Sequence, residues 1–306
     1  MPDSASSSLM QTINMLGMGV ALITPFTHTK EIDYPALEKV VDRVVSNGAD
    51  FLVVLGTTGE TPTLTEEEKT SVMKAVRETA GGRIPLVVGI GGNNTAEIIR
   101  RVTKSDLTGY SAILSVVPYY NKPSQEGIYS HFKAIAEASP LPLILYNVPG
   151  RTGVNMTADT TLRLAREVPN IIGIKEASGQ MQQIERLIKE KPEGFRVVSG
   201  DDGMTYPLMT LGAEGVISVV GNAFPKEFSE MVHLCLEGNY IEAVDYHYKF
   251  KEIIRLLFAD GNPAGVKCVM HDMGLIENEL RLPLVPVSAA TADDILRQVE
   301  KLQPQR

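Results

Sequence analysis

The stretch "GVALITPFTHTKE" (residues 19–31) bears on the choice between two folds, a closed barrel and an open parallel sheet. It begins as a run of apolar and β-branched residues, which is typical of a buried strand. The usual signature of an open parallel sheet is a glycine-rich loop directly after its first strand. "ITPFTHTKE" contains no glycine, so this stretch favours a barrel over an open parallel sheet.

Similar apolar runs continue along the chain and alternate with amphipathic segments such as 65–80 and 124–138. Near-continuous apolar strands separated by helices indicate parallel strands that are covered on both faces. Eight such units predict an α/β fold, a (β/α)8 TIM barrel. The predicted strands cover 19–26, 51–56, 85–90, 112–118, 141–148, 171–177, 195–201 and 215–222.

Helical periodicity continues past the eighth strand, at 225–237, 240–258, 263–273 and 291–302. We therefore predict a barrel with a small C-terminal helical appendage. The predicted parts are an N-terminal extension that is disordered (1–15), the barrel (16–237) and the C-terminal helical region (238–306).

The composition excludes several classes of protein. The 306 residues are 43% hydrophobic and carry a net charge of −8, which offers no attraction for nucleic acid. No apolar run approaches the roughly 20 residues that span a bilayer, and the first residues do not form a secretory signal. The two cysteines do not suggest a disulfide framework, and the five histidines lack metal-ligand spacing, so we expect no metal site. These features predict a cytoplasmic enzyme.

Polar residues gather where the predicted strands end, and this end of a parallel barrel carries the active site. The residues at these positions are Thr57, Thr58, Tyr119, Tyr120, Tyr146, Arg151, Lys175 and, beside Ser218, Ile217. Taken singly, the threonines could cap a helix, the tyrosines could pack at a rim, and the arginine could be a solvated loop charge. Their shared location favours an active site.

Lys175 is the candidate nucleophile. Strict alternation places Ile171, Gly173 and Lys175 on the inward face, where the glycine would leave room for the lysine stem. A neutral lysine amine condenses with ketones to form a Schiff base. The alternative is a surface lysine whose charged end reaches water.

Six motifs together resemble the dihydrodipicolinate synthase family, which belongs to the lysine-dependent class I aldolases. The resemblance runs from about Gly19 to the C-terminus. The motifs, in family order, are "GTTGE" (56–60), "PYYNKPSQEGIYSHFKAIAE" (118–137), "LYNVPGRTG" (145–153), "GIKEASG" (173–179), "SGDD" (199–202) and "GVISV" (215–219).

The resemblance implies a reaction and a set of catalytic residues. The family condenses pyruvate with L-aspartate 4-semialdehyde on the route to diaminopimelate and lysine, with no external cofactor. Lys175 would form the Schiff base with pyruvate, and Tyr146 would donate and accept protons. Thr57 would link Tyr146 to Tyr120 of a neighbouring subunit in a homotetramer, a dimer of dimers.

The resemblance also implies binding residues. Thr58 and Ile217 would hold pyruvate, Arg151 would receive carboxylate groups at the entrance, and Gly200 would lie by the site through its backbone.

An effector site is implied as well. In lysine-sensitive relatives lysine binds in a cleft at the dimer interface, and Asn93, Glu97 and Tyr119 match residues that hold it. Glu66 and Lys69 stand where sensitive enzymes often carry histidines, so we predict weak or absent inhibition by lysine.

Two other functions remain open. Sialic-acid and keto-deoxy-sugar acid aldolases would keep Lys175 and Tyr146, but they generally lack Arg151 and the "PYYNKP" text. A catalytically inactive barrel that only binds a partner would not need Thr57 and Tyr120 beside them.

Overall fold

A computed structural model of the chain describes residues 15–302 and contains a closed barrel of eight parallel strands. Each strand pairs with the next along the chain, and the eighth pairs with the first. The predicted TIM barrel is therefore confirmed. The strands are β1 Gly17–Ala21, β2 Phe51–Val54, β3 Leu86–Gly89, β4 Ala112–Val116, β5 Leu143–Asn147, β6 Ile171–Glu176, β7 Arg196–Ser199 and β8 Gly215–Ser218.

Helices surround the barrel and extend beyond it. The helices up to the end of the eighth unit are α1 Tyr34–Ser46, α2 Glu66–Ala80, α3 Thr95–Lys104, α4 Gln125–Ala138, α5 Pro149–Thr152, α6 Ala158–Glu167, α7 Met181–Glu190, α8 Thr205–Thr210 and α9 Pro225–Leu236. Short 3₁₀ turns occupy Thr57–Gly59, Thr61–Thr63, Asp202–Met204 and Val220–Asn222. None of the helices in residues 15–302 is both long and apolar enough to cross a membrane.

The C-terminal appendage consists of α10 Tyr240–Ala259, α11 Ala264–Asp272 and α12 Ala289–Leu302. These helices contact one another, and α10 also contacts α9. The boundary at residue 237 stays a prediction. Of the predicted N-terminal extension, residues 1–14 lie outside the described part of the chain, whereas Met15 is fully buried in the barrel interior.

The core has two apolar layers, one inside the barrel and one between the barrel and its helices. In β2, for example, Phe51 and Val53 belong to the interior layer, while Leu52 and Val54 belong to the outer layer. Both faces of each strand are therefore buried, which explains why the strands read as continuous apolar runs.

The first strand differs from its predicted span of 19–26, because it covers Gly17–Ala21. Beyond it, the Ile23 N–H donates to Asn222 Oδ1 at 3.1 Å rather than to a neighbouring strand. Pro25 has no N–H to contribute to a ladder. The apolar run continues past the strand because its side chains are buried without being part of the sheet.

The sixth strand corrects the predicted alternation. Leu143 pairs with Ile171 but Ile144 pairs with Gly173, so Ile172 is one residue extra in β6. Ile171 consequently lies in the outer layer, and Ile172 packs against the interior layer. A Cβ atom on Gly173 would lie 2.7 Å from the Arg196 carbonyl oxygen and 2.9 Å from the sulfur of Met15. The adjacent strand and Met15, rather than the lysine stem, therefore occupy the space left by this glycine.

Candidate active site

A cavity of about 470 Å³ opens at the carboxyl ends of the strands, as expected for this barrel. Its wall is formed in part by residues of the loops after β2, β4 and β5. Residues near the carboxyl ends of β5 and β6 also contribute. Of the predicted site residues, the wall includes Thr57, Lys69, Tyr119, Tyr146, Arg151 and Lys175.

Lys175 and Tyr146 lie side by side because they are paired across β5 and β6. The Lys175 amine lies 4.5 Å from the centre of the Tyr146 ring. Both side chains are buried, with 6% and 7% of their surface exposed. Within residues 15–302, no group accepts a hydrogen bond from the amine, which faces the cavity and is free to react.

Gly200, directly after β7, leaves room for the lysine stem. A Cβ atom here would lie 3.0 Å from both Cγ and Cε of Lys175. Such a separation is too short for two carbon atoms, so a larger residue would displace the amine. The resemblance places Gly200 by the site, and the geometry gives the reason for a glycine at this position.

The electrostatics of the cavity favour an anionic ligand. Besides Lys175, its wall carries the cationic side chains of Lys69, Arg101 and Arg151. Among the described residues that form the wall, none is an aspartate or a glutamate. Opposite charge attracts carboxylates. Glu66, behind the wall, offsets part of the charge of Lys69 and Arg101, whereas no ion pair within residues 15–302 compensates Lys175 or Arg151.

A buried polar network lies on the outer side of the same two strands. The Asn147 amide donates to both carboxylate oxygens of Glu176, at 3.2 and 3.1 Å. The Ser178 N–H also donates to Glu176, at 2.7 Å. Burial raises the pKa of Glu176, and these donors oppose the rise. Asn147 follows Tyr146 and Glu176 follows Lys175, so the network fixes the two strand ends relative to each other.

Sequence reasoning missed this network. A signal was present in the sequence, because β5 and β6 are otherwise largely apolar and each carries one polar residue at an outward position. These residues are Asn147 and Glu176.

The two threonines after β2 have different surroundings. Thr57 is exposed to the cavity, whereas Thr58 is 2% exposed and is absent from the cavity wall. The Thr58 hydroxyl oxygen accepts a hydrogen bond from the Asn262 amide at 3.0 Å. Neither threonine caps α2, because Thr65 does so and forms a capping box with Glu68.

Tyr120 and Ile217 are not brought to the cavity wall. Tyr120 is 88% exposed and has a φ of 69°, in the left-handed region. Within the described chain, no hydrogen bond joins Tyr120, Thr57 and Tyr146. Ile217 is buried in the interior layer of the barrel.

The proposed effector residues lie beside the cavity, around the first turns of α2 and α3. The Asn93 amide donates to the Tyr119 carbonyl at 3.2 Å. Lys69 donates to Glu66 at 2.7 Å and also lines the cavity. Glu97 forms an ion pair with Arg100.

No group of three or more His, Cys, Asp or Glu side chains in residues 15–302 could hold a metal ion. The cavity wall presents amines, hydroxyls and guanidinium groups. A TIM barrel with a buried lysine near the carboxyl end of its sixth strand defines a class of enzyme, the lysine-dependent aldolases, whose chemistry uses this set of groups.

Comparisons with known proteins identify the family within this class. The sequence profile of the dihydrodipicolinate synthetase family matches residues 14–302. The chain is 60% identical to the 4-hydroxy-tetrahydrodipicolinate synthase of Parabacteroides distasonis, over 95% of this chain and 99% of that protein. It is 57% identical to the corresponding enzyme of Phocaeicola vulgatus, over 96% and 99%.

A solved structure agrees. The chloride-inhibited dihydrodipicolinate synthase of Acinetobacter baumannii, complexed with pyruvate, superposes with a TM-score of 0.91 at 42% identity, covering 94% of this chain and 98% of that one. The chain belongs to the dihydrodipicolinate synthetase family, as its motifs predict, and it is a lyase that forms carbon–carbon bonds.

Proposed function

We propose that this chain acts as a 4-hydroxy-tetrahydrodipicolinate synthase through a Schiff base on Lys175. It condenses pyruvate with L-aspartate 4-semialdehyde in the biosynthesis of diaminopimelate and lysine. The observation that carries the assignment to Lys175 is its buried, unpaired amine beside Tyr146 in a cavity whose charged groups are all cations.

The chemistry follows from these groups. The Lys175 amine attacks the ketone carbon of pyruvate, and loss of water forms an iminium ion. Removal of a methyl proton gives an enamine, whose carbon attacks the aldehyde of the second substrate. Tyr146 carries protons in these steps, and Thr57 links it to Tyr120 of a neighbouring subunit. The positive charge of the iminium ion is the electron sink, so no external cofactor is needed.

The carboxylates of the substrates need cationic and hydrogen-bonding partners. Arg151, on α5 at the cavity wall, receives a carboxylate at the entrance. Thr58 holds the pyruvate carboxylate, and its hydroxyl hydrogen is available because its oxygen accepts from Asn262. Ile217, from the interior layer of the barrel, contributes to holding pyruvate, and Gly200 leaves room for the lysine stem.

The relay implies an assembly. Tyr120 is 88% exposed in one chain, and a tyrosine held at a φ of 69° on the surface is expected where a partner covers it. We propose that this partner is a second copy within a homotetramer, a dimer of dimers, in the cytoplasm. Asn93, Glu97, Tyr119, Glu66 and Lys69 then form a cleft for lysine in which binding is weak.

Trapping the intermediate tests the assignment. Borohydride added with pyruvate should reduce the imine and attach a stable adduct to the peptide that contains Lys175. Lys175→Arg keeps a cation but cannot form the imine, so it should lose nearly all turnover and labelling. Lys191→Arg changes a lysine that is bonded to Glu214 outside the cavity, and it should remain active. Adducts on another residue, or an active Lys175→Arg enzyme, would contradict the proposal.

A further inference from the structure

The turn after β2 is held in a conformation that its own residues do not prefer. Leu55 and Glu60, the first and last residues of this turn, have φ values of 57° and 52°. Residues with side chains seldom adopt this left-handed region, and they do so where surrounding contacts impose it. The turn supplies Thr57 to the cavity wall and contains Thr58. What holds the turn therefore matters for the site.

One set of contacts to this turn comes from the C-terminal appendage. Lys267, in α11, forms an ion pair with Glu60 at 2.6 Å, and both side chains are fully buried. Lys267 also donates to the Glu279 carbonyl at 2.8 Å, and the Arg281 N–H donates to the second carboxylate oxygen of Glu60 at 3.0 Å. Burial lowers the pKa of Lys267 to about 8, against the opposing effect of Glu60.

The second contact is the hydrogen bond from Asn262 to the Thr58 hydroxyl. Asn262 is 5% exposed and lies two residues before the start of α11. The turn and the appendage are more than 200 residues apart in sequence, yet both polar side chains of the turn that are buried, Thr58 and Glu60, find partners there.

We propose that Asn262 and Lys267 are positioning residues for the reaction. They hold the turn so that Thr57 and Thr58 keep their places relative to Lys175. Neither residue belongs to the cavity wall, so both act through the turn. This inference rests on the proposed function, because it assigns the turn to the pyruvate side of the site. A buried ion pair is costly to desolvate and is a weak source of stability, which is a further reason to seek its role in geometry.

The test separates position from stability. Asn262→Ala removes the donor to Thr58. The double variant Glu60→Gln with Lys267→Met removes both buried charges together, so that neither is left unpaired. Lys191→Met is the matched control, because Lys191 also bonds one carboxylate and one carbonyl, those of Glu214 and Phe195. For each variant, urea unfolding measures the free energy of unfolding. The amount of pyruvate that borohydride attaches to the protein at completion measures the number of sites that can form the imine.

We expect kcat/KM for pyruvate, calculated per site that forms the imine, to fall by about 10- to 100-fold in Asn262→Ala and in the double variant. A small misplacement of a reacting group causes a loss of this size. KM for L-aspartate 4-semialdehyde should not change, because Arg151 lies on a different loop. Lys191→Met should lose stability only. If the variants lose stability but keep the wild-type kcat/KM per site, the positioning role is wrong and the proposed function stands. If pyruvate labels the wild-type enzyme away from Lys175, the proposed function fails and this inference fails with it.

Discussion

Lys175 is buried, with 6% of its surface exposed, although an ammonium group loses favourable hydration on burial. The amine of Lys175 lies over the face of the Tyr146 ring and faces the cavity. Sequence alternation could place the lysine on the inward face, but it could not identify the neighbour that makes room. That neighbour, Gly200, follows the next strand and lies 25 residues further along the chain.

Gly200→Ala should therefore impair catalysis directly. The added methyl group would lie 3.0 Å from Cγ and Cε of Lys175 and 2.8 Å from the Ala177 side chain. We expect the amine to shift and kcat for the condensation to fall by about 10-fold or more, together with slower borohydride trapping. Gly150→Ala, where no atom lies within 4 Å of the new Cβ, is the control and should keep its trapping rate. Equal rates in both variants would contradict this prediction.

His131 should make the protein less stable in mild acid. It is 5% exposed in α4, its Nδ1 forms a hydrogen bond with Thr95, and burial lowers its pKa from 6.5 to about 4. Between these pH values the unfolded chain binds a proton that the folded chain does not. The free energy of unfolding therefore falls as the pH falls, by roughly 1 to 2 kcal/mol at pH 5.

The comparison of wild type with His131→Phe isolates this effect, because phenylalanine cannot bind the proton. Urea unfolding at pH 7 and at pH 5 should show a smaller loss of stability in the variant, while contributions from other groups cancel in the difference. Parallel losses in the two proteins would show that His131 is not responsible.

At the scale of elements, hydrophobic patterning located most strands and helices, because each strand is buried on both faces and each helix on one. The observed α4, for example, covers Gln125–Ala138 against a predicted 124–138. Patterning failed at the start of β6, where the extra residue Ile172 reverses the alternation. A bulge is a property of how two strands pair, so the sequence of one strand does not contain it.

Lysine should inhibit this enzyme weakly or not at all, because of the first turn of α2. Lys69 lies there beside the cavity, paired with Glu66, and Arg101 approaches Glu66 to 3.8 Å. At about 4 Å and an effective dielectric constant near 20, a second ammonium would be repelled by roughly 4 kcal/mol before relaxation, of which Glu66 offsets part. Initial rates across a lysine titration measure the effect. Lys69→Gln should become more sensitive, and strong inhibition of the wild type below one millimolar would refute the argument.

At the scale of the whole molecule, one chain does not bring Tyr120 to its own cavity, and the proposed relay therefore needs a second copy. Tyr120→Phe and Lys175→Ala subunits should each have little activity. When the two are mixed, dissociated and reassembled, some sites combine an intact Lys175 with an intact Tyr120, so part of the activity should return. Each variant reassembled with itself is the control. Full activity in a verified monomer would rule out the relay across subunits.

The sequence by itself determined the barrel, its appended helices, the family and the strand end that carries Lys175. These follow from the periodicity of apolar residues and from motifs that are each local in the chain. Only the tertiary structure decided that Met15 fills the space beside Gly173, that Gly200 accommodates the lysine stem, and that Asn262 and Lys267 hold the turn of Thr57. The physical reason is that these contacts join residues far apart in sequence, whose distances depend on how the closed barrel and its appendage pack together.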